Sequence, residues 1–133
     1  MTEEALEACM NLITPSLDYA DLSSVDLVVE AVFETMDIKK AVFSNIDAVA
    51  KEGCILASNT SYLDINEIAE STSRPQDVIG LHFFSPANIM NLLEVVRGEK
   101  SDPEVINTGM RLAKTIMKTP LLSRVGWGFI ANR

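Results

Sequence analysis

His82 is the one histidine in the chain. It lies in the run Val78-Ile79-Gly80-Leu81-His82-Phe83, just ahead of Phe84-Ser85-Pro86. An imidazole is the side chain best suited to taking and returning a proton near neutral pH. A lone histidine in an apolar strand is by default a core residue with its polar atoms satisfied. Its place near the strand's carboxyl end argues for more. So does Glu94, in the neighbouring run Leu92-Leu93-Glu94-Val95-Val96. A carboxylate in an apolar strand must be paired or must face water at a sheet edge. Paired with His82, it would orient the imidazole, which is how a general base is built. Asn59 and Ser61 follow a third apolar run, Cys54-Ile55-Leu56-Ala57. Simple turn chemistry accounts for these two equally well.

The elements that must carry these groups alternate in type. Residues 2–13 read as a helix with Leu6, Cys9, Met10 and Ile13 on one face, acids in its first turn and Pro15 after it. Residues 14–24 form a polar connection. Asp26 to Val32 is a valine-rich run that reads as a buried parallel strand. Thr35 is placed to cap the next helix, whose expected buried stripe is Ile38, Val42, Ile46 and Val49, with Gly53 as its C′ residue. Cys54–Ala57 is a second strand. Asp64 with Glu67 resembles a capping box for a short helix carrying Ile65, Ile68 and Ala69. Val78–Phe83 and Leu92–Val96 are the next strands. Asp102-Pro103 opens a helix whose expected inward residues are Val105, Gly109, Leu112, Ala113 and Ile116, and Leu121 and Leu122 begin a last strand.

Strands and helices in alternation predict an α/β fold, a mostly parallel sheet with helices on both faces. Ligands of such sheets bind outside the carboxyl ends of the strands. The polar clusters obey that rule. Glu30 to Thr35, Ser58 to Ser61 and His82 to Ser85 each follow a strand and face one crevice.

Composition excludes several other roles. The formal charge of −8 and the scattered basic residues leave no cationic stripe for a nucleic acid. No apolar run approaches the ~20 residues of a membrane span, and acids stand where a signal peptide needs basic residues. Two cysteines, Cys9 and Cys54, make no disulfide framework, so a reducing compartment is expected. One string, Gly126-Trp127-Gly128-Phe129-Ile130-Ala131, fits a dinucleotide-loop pattern on paper. It is rejected, because neither a helix nor a second strand with an acidic ribose contact comes after it.

Four ordered motifs carry a family resemblance. They are Ser58-Asn59-Thr60-Ser61, Ile79 to Pro86, Leu92-Leu93-Glu94-Val95-Val96-Arg97, and Gly128 to Arg133. Together with the Asp26–Val32 run they resemble the L-3-hydroxyacyl-CoA dehydrogenases of fatty-acid β-oxidation, from about Leu12 onward. The stretches around His82 and Glu94 are similar in particular to multifunctional β-oxidation proteins. The resemblance implies a partial Rossmann-like doubly wound sheet, with residues 1–133 as the C-terminal portion of an NAD-binding domain and the first βαβ unit missing. It implies that His82 takes the proton of the 3-hydroxyl while hydride passes to NAD, and that Glu94 stabilises the imidazolium. Ser61 then sits between substrate oxygen and cofactor, and Asn132 completes the group at a domain junction. Glu34 and Lys39 match cofactor contacts. Ser85 stands where many members carry asparagine near the nicotinamide.

The implied partner is an acyl-CoA substrate. A homodimer is expected on other grounds: without the first strand of the domain, Leu27, Val28, Val29, Ala31 and Val32 would border an unpaired apolar edge that a second copy of the chain would cover. The implied location is the cytoplasm of a bacterium, or the mitochondrion or peroxisome of a eukaryote. Two other readings are compatible with these residues. One is a module that folds and associates without catalysis. The other is a hydrolase built on Ser61, His82 and Glu94, although Ser61 lacks the Gly-x-Ser-x-Gly turn that would expose it.

Overall fold

A computed structural model describes residues 2–133. Five strands form one sheet: β1 (Leu27–Glu30), β2 (Ile55–Ser58), β3 (Val78–Phe83), β4 (Leu92–Arg97) and β5 (Thr119–Arg124). Their spatial order follows the chain, β1-β2-β3-β4-β5. β1, β2 and β3 are mutually parallel. β4 runs antiparallel to β3, and β5 is parallel to β4.

The helices are α1 (Glu3–Met10), α2 (Met36–Val49), α3 (Ile65–Ala69) and α4 (Pro103–Thr115). Period-two alternation along the strands sends side chains to two cores. On one face Leu56, Val78 and Val96 pack with Phe43 and Ile46 of α2 and with Ile65 and Ile68 of α3. On the other, Ala57, Ile79, Leu81, Leu93 and Val95 pack with Val105 and Ala113 of α4. Each large apolar side chain buried this way contributes about 1.5–3 kcal/mol. Gly109 lets α4 lie close: a Cβ there would come 3.0 Å from Ile79 Cδ1 and 3.2 Å from Val95 Cγ1.

Several expectations change in detail. The buried stripe of α2 is Lys39, Phe43 and Ile46, while Ile38 is exposed. A charged partner on β1, described below, draws Lys39 inward in place of Ile38. In α4, Ile116 is also exposed, because the helix has ended and the chain is turning. Asp64 caps α3 through the Asn66 amide, but Glu67 turns away to pair with Lys40 at 2.5 Å, so no capping box forms. Thr35 is the N-cap of α2 by position, without a side-chain cap bond. The helix at the start is shorter than expected, and its apolar face, Leu6 and Met10 included, is exposed. The connection before β1 contains a 3-10 helix, Tyr19–Ser24, started by the Asp18 side chain. No helix among the described residues is long and apolar enough to cross a membrane.

Candidate active site

The antiparallel register of β3 and β4 sets His82 directly opposite Glu94. Both project to the α2/α3 face, in line with Gly80 and Val96, which are also register partners. His82 Nδ1 and Glu94 Oε2 are 2.8 Å apart, with His82 4% and Glu94 0% exposed. Glu94 is therefore paired and is not a solvated edge residue. Its other oxygen, Oε1, accepts 3.0 Å bonds from the amides of both Ile130 and Ala131. Amides only donate, so the carboxylate is an acceptor on both sides, and the network assigns the ring proton to Nδ1. Nε2 then carries the lone pair. It has no partner, and no buried side-chain nitrogen or oxygen among the described residues lacks one. Nε2 is thus the part of the ring that reaches solvent. Phe84 and Phe129 enclose the rest, with ring centroids 4.3 and 5.8 Å from the imidazole.

A second network joins the carboxyl ends of β1 and β2. Glu30, the last residue of β1, accepts from Lys39 Nζ at 2.7 Å and from the Val32 amide at 2.6 Å through Oε1. Its Oε2 accepts from Ser58 Oγ at 2.7 Å. Lys39 also reaches the Val32 carbonyl at 3.4 Å and lies 3.9 Å from Glu34 Oε2. Glu34 in turn accepts from the Thr60 hydroxyl and, at 3.2 Å, from the Ser61 amide. The Ser61 loop is thereby tied to the end of β1. Asn59 ties it to β3 as well, since Asn59 Oδ1 accepts from the Phe83 amide at 2.8 Å.

The expected site residues fall into three groups. His82 and Glu94 touch. Glu34, Lys39 and Ser61 share the second network, but the Lys39 ammonium is buried against Glu30 and its closest approach to the open crevice is through Glu34. Ser85 and Asn132 are exposed on loops at the same end of the sheet, and no hydrogen bond links either to the pair. Ser61 likewise makes no bond to His82, so the three groups of the hydrolase reading are not connected. Gly126 to Ala131 forms a turn that clasps Glu94, which removes it further from the role of a nucleotide loop. Sequence reasoning missed Glu30 as the partner of Lys39. The signal was there: a carboxylate ending an apolar strand needs a partner, as Glu94 does.

The donors present fit one end of a dinucleotide. Glu34, 31% exposed, offers a carboxylate to hydroxyls, and Ser61 offers a partly exposed hydroxyl beside it. Among the described residues no free cation stands there for a pyrophosphate, because Lys39 is already paired. A glycine-rich turn opening a helix, the usual pyrophosphate cradle, is not found in these residues. The residues therefore fit the nicotinamide riboside end and not the diphosphate.

The chain and its fold are similar to known proteins. The chain is 56% identical over 113 residues to the peroxisomal bifunctional enzyme of Cavia porcellus, covering 85% of this chain and 16% of that one. It is 41% identical over its full 133 residues to the fatty acid oxidation complex subunit alpha of Psychrobacter cryohalolentis, of which it covers 18%. It thus spans less than a fifth of the length of these relatives. Among solved structures, the (S)-3-hydroxybutyryl-CoA dehydrogenase of Ralstonia eutropha superposes with a TM-score of 0.96 at 35% identity, over 100% of this chain and 47% of that one. The family model described as 3-hydroxyacyl-CoA dehydrogenase, NAD binding domain, matches residues 1–125, and the chain belongs to that family.

Proposed function

We propose that this chain forms the proton-handling part of an NAD-dependent dehydrogenase that oxidises L-3-hydroxyacyl-CoA to 3-oxoacyl-CoA in fatty-acid β-oxidation. The observation that carries the reading is the buried His82–Glu94 pair, with Nε2 of His82 left open at the carboxyl ends of β1–β3. When bound, NAD supplies the hydride acceptor. The residues of this chain handle the proton. Nε2 of His82 takes it from the 3-hydroxyl as the C3–H bond breaks. The positive charge that arises on the ring is met by the Glu94 carboxylate across a 2.8 Å bond. Ser61, held by its amide on Glu34, presents its hydroxyl to the substrate oxygen. Asn132 and Ser85 border the same end and contact the bound substrate and nicotinamide. Residues 1–133 serve as the C-terminal portion of the NAD-binding domain, and the first βαβ unit supplies the diphosphate cradle.

The test is NAD-dependent oxidation of an L-3-hydroxyacyl-CoA, followed by NADH absorbance. It is run on the protein carrying a glycine-rich βαβ unit, beside the 133-residue chain alone. The first turns over. The second does not, because loss of the pyrophosphate contacts weakens dinucleotide binding by roughly a thousandfold or more. Labelling of Ser61 by a fluorophosphonate, without NADH formation in either protein, would overturn the reading in favour of a hydrolase.

We also infer that the 133-residue chain pairs with a second copy of itself. The support is the open edge of β1, which among the described residues has β2 as its only neighbouring strand.

A further inference from the structure

The His82–Glu94 pair is held by a backbone turn as well as by its own hydrogen bond. Oε2 of Glu94 is fixed by His82, and Oε1 by two successive amides, those of Ile130 and Ala131. The carboxylate cannot rotate about its axis without losing all three bonds. Just ahead of these two converging N–H groups the chain reverses. It does so through two adjacent residues in the left-handed region, Gly128 at φ +68° and Phe129 at φ +54°. The turn closes with the Asn132 amide donating to the Gly128 carbonyl at 3.0 Å. That closure leaves no room at position 128. A Cβ there would lie 2.6 Å from the Asn132 carbonyl oxygen, on a backbone that already favours glycine. Phe129, 1% exposed, places its ring edge on the imidazole of His82 at 5.8 Å. One short turn therefore touches both partners, its amides on Glu94 and its ring on His82.

We propose that the Gly128–Ala131 turn is a positioning element of the dyad and that Gly128 is its determining residue. By fixing the Glu94 carboxylate, the turn fixes the tautomer and orientation of His82. The consequence for turnover rests on the dehydrogenase reading above; the consequence for the imidazole does not.

The single histidine makes the test direct, since 15N NMR of the ring reports one residue. The native chain should show the proton on Nδ1 and the lone pair on Nε2. Gly128→Ala should move the spectrum toward a mixture of tautomers. In the active dehydrogenase the same change should lower kcat about tenfold, a fraction of the ~10²–10⁴ that a positioned base contributes, with KM nearly constant. Because the turn's amides act through Glu94, Gly128→Ala should cost clearly less in a Glu94→Gln background than in the native one, the remainder being what Phe129 and Asn132 contribute directly. A folded Gly128→Ala chain with the native tautomer spectrum would overturn the proposal, and so would losses that add. If circular dichroism shows that Gly128→Ala does not fold, Ala131→Pro, which deletes one of the two amide donors, is read by the same criteria. A tautomer shift in a protein with no dehydrogenase activity would uphold the positioning role and sink the proposed reaction.

Discussion

The ammonium of Lys39 lies 2.7 Å from Oε1 of Glu30, and both side chains are 1% exposed. The pair joins α2 to the end of β1, where the chain turns into the crevice. Removing one partner strands the other charge in the core. Lys39→Met should destabilise the chain by about 3–5 kcal/mol in urea unfolding. Lys39→Met combined with Glu30→Gln should recover much of that loss, since no buried charge remains: the amide oxygen can still accept from Val32, and the amide NH2 can donate to the Ser58 hydroxyl oxygen. A single variant within about 1 kcal/mol of the native chain would mean that water reaches the pair.

His82→Gln in the active dehydrogenase should reduce kcat by about 10²–10⁴ while leaving KM for the acyl-CoA nearly unchanged. Glu94→Gln should also lower turnover, because an amide cannot offset the charge that develops on the imidazole. Near-native turnover of His82→Gln would show that another group takes the proton.

Among the described residues, β1 hydrogen-bonds to β2 on one side and to no strand on the other. On the α4 face, that helix packs over β3, β4 and β5, and Val29 of β1 remains 40% exposed. An apolar edge of this kind is a template for strand addition. Sedimentation over a dilution series should show the 133-residue chain as a dimer, and Val29→Lys should shift it toward monomer. A monomer at high concentration, with the lysine variant sedimenting identically, would remove the edge as a pairing surface.

At the far end of α2, Asp47 receives the Ser73 amide and the Arg74 Nε, each at 2.6 Å. Burial by itself would raise the Asp47 carboxyl, but the bonds from Ser73 and Arg74 outweigh it and hold the group below its ordinary value. A carboxyl lowered in the folded state contributes stability above its unfolded pKa and loses that contribution as pH falls through the folded one. Asp47→Asn should therefore be less stable than the native chain near neutral pH. The gap should narrow below pH of about 4. A gap independent of pH would mean that Asp47 acts by packing alone.

The strands were legible because each is a short β-rich run closed by polar residues. Strand direction was less so. Residues 84–91 join β3 to β4 without a helix, too short for the crossover that parallel strands require. That length was the available sign of the antiparallel pair. The α2 stripe was right at Ile46 and Val42 but wrong at its start, because apolar periodicity counts Ile38 and discounts Lys39. Lysine becomes a core residue only through Glu30, and no local pattern announces that partner. The face of α1 has real amphipathic spacing, yet packing, which decides burial, gives it no surface to cover. His82 and Glu94 could be paired from sequence since both were polar anomalies in apolar strands. The amides of Ile130 and Ala131 could not, since a backbone donor leaves no mark in residue type.

The register of β3 against β4 is secured from the side of the sheet that does no chemistry. Leu81 and Val95 are partners, as are Phe83 and Leu93, and they alternate with the His82–Glu94 couple. A slip by one residue would drive charged groups under α4 and push leucine and valine into the crevice. The oily face thus acts as an alignment gauge for the reactive one. Between the two strands, the loop of residues 84–91 can thus set Phe84 against the imidazole without having to set the register, because the gauge keeps imidazole and carboxylate in step.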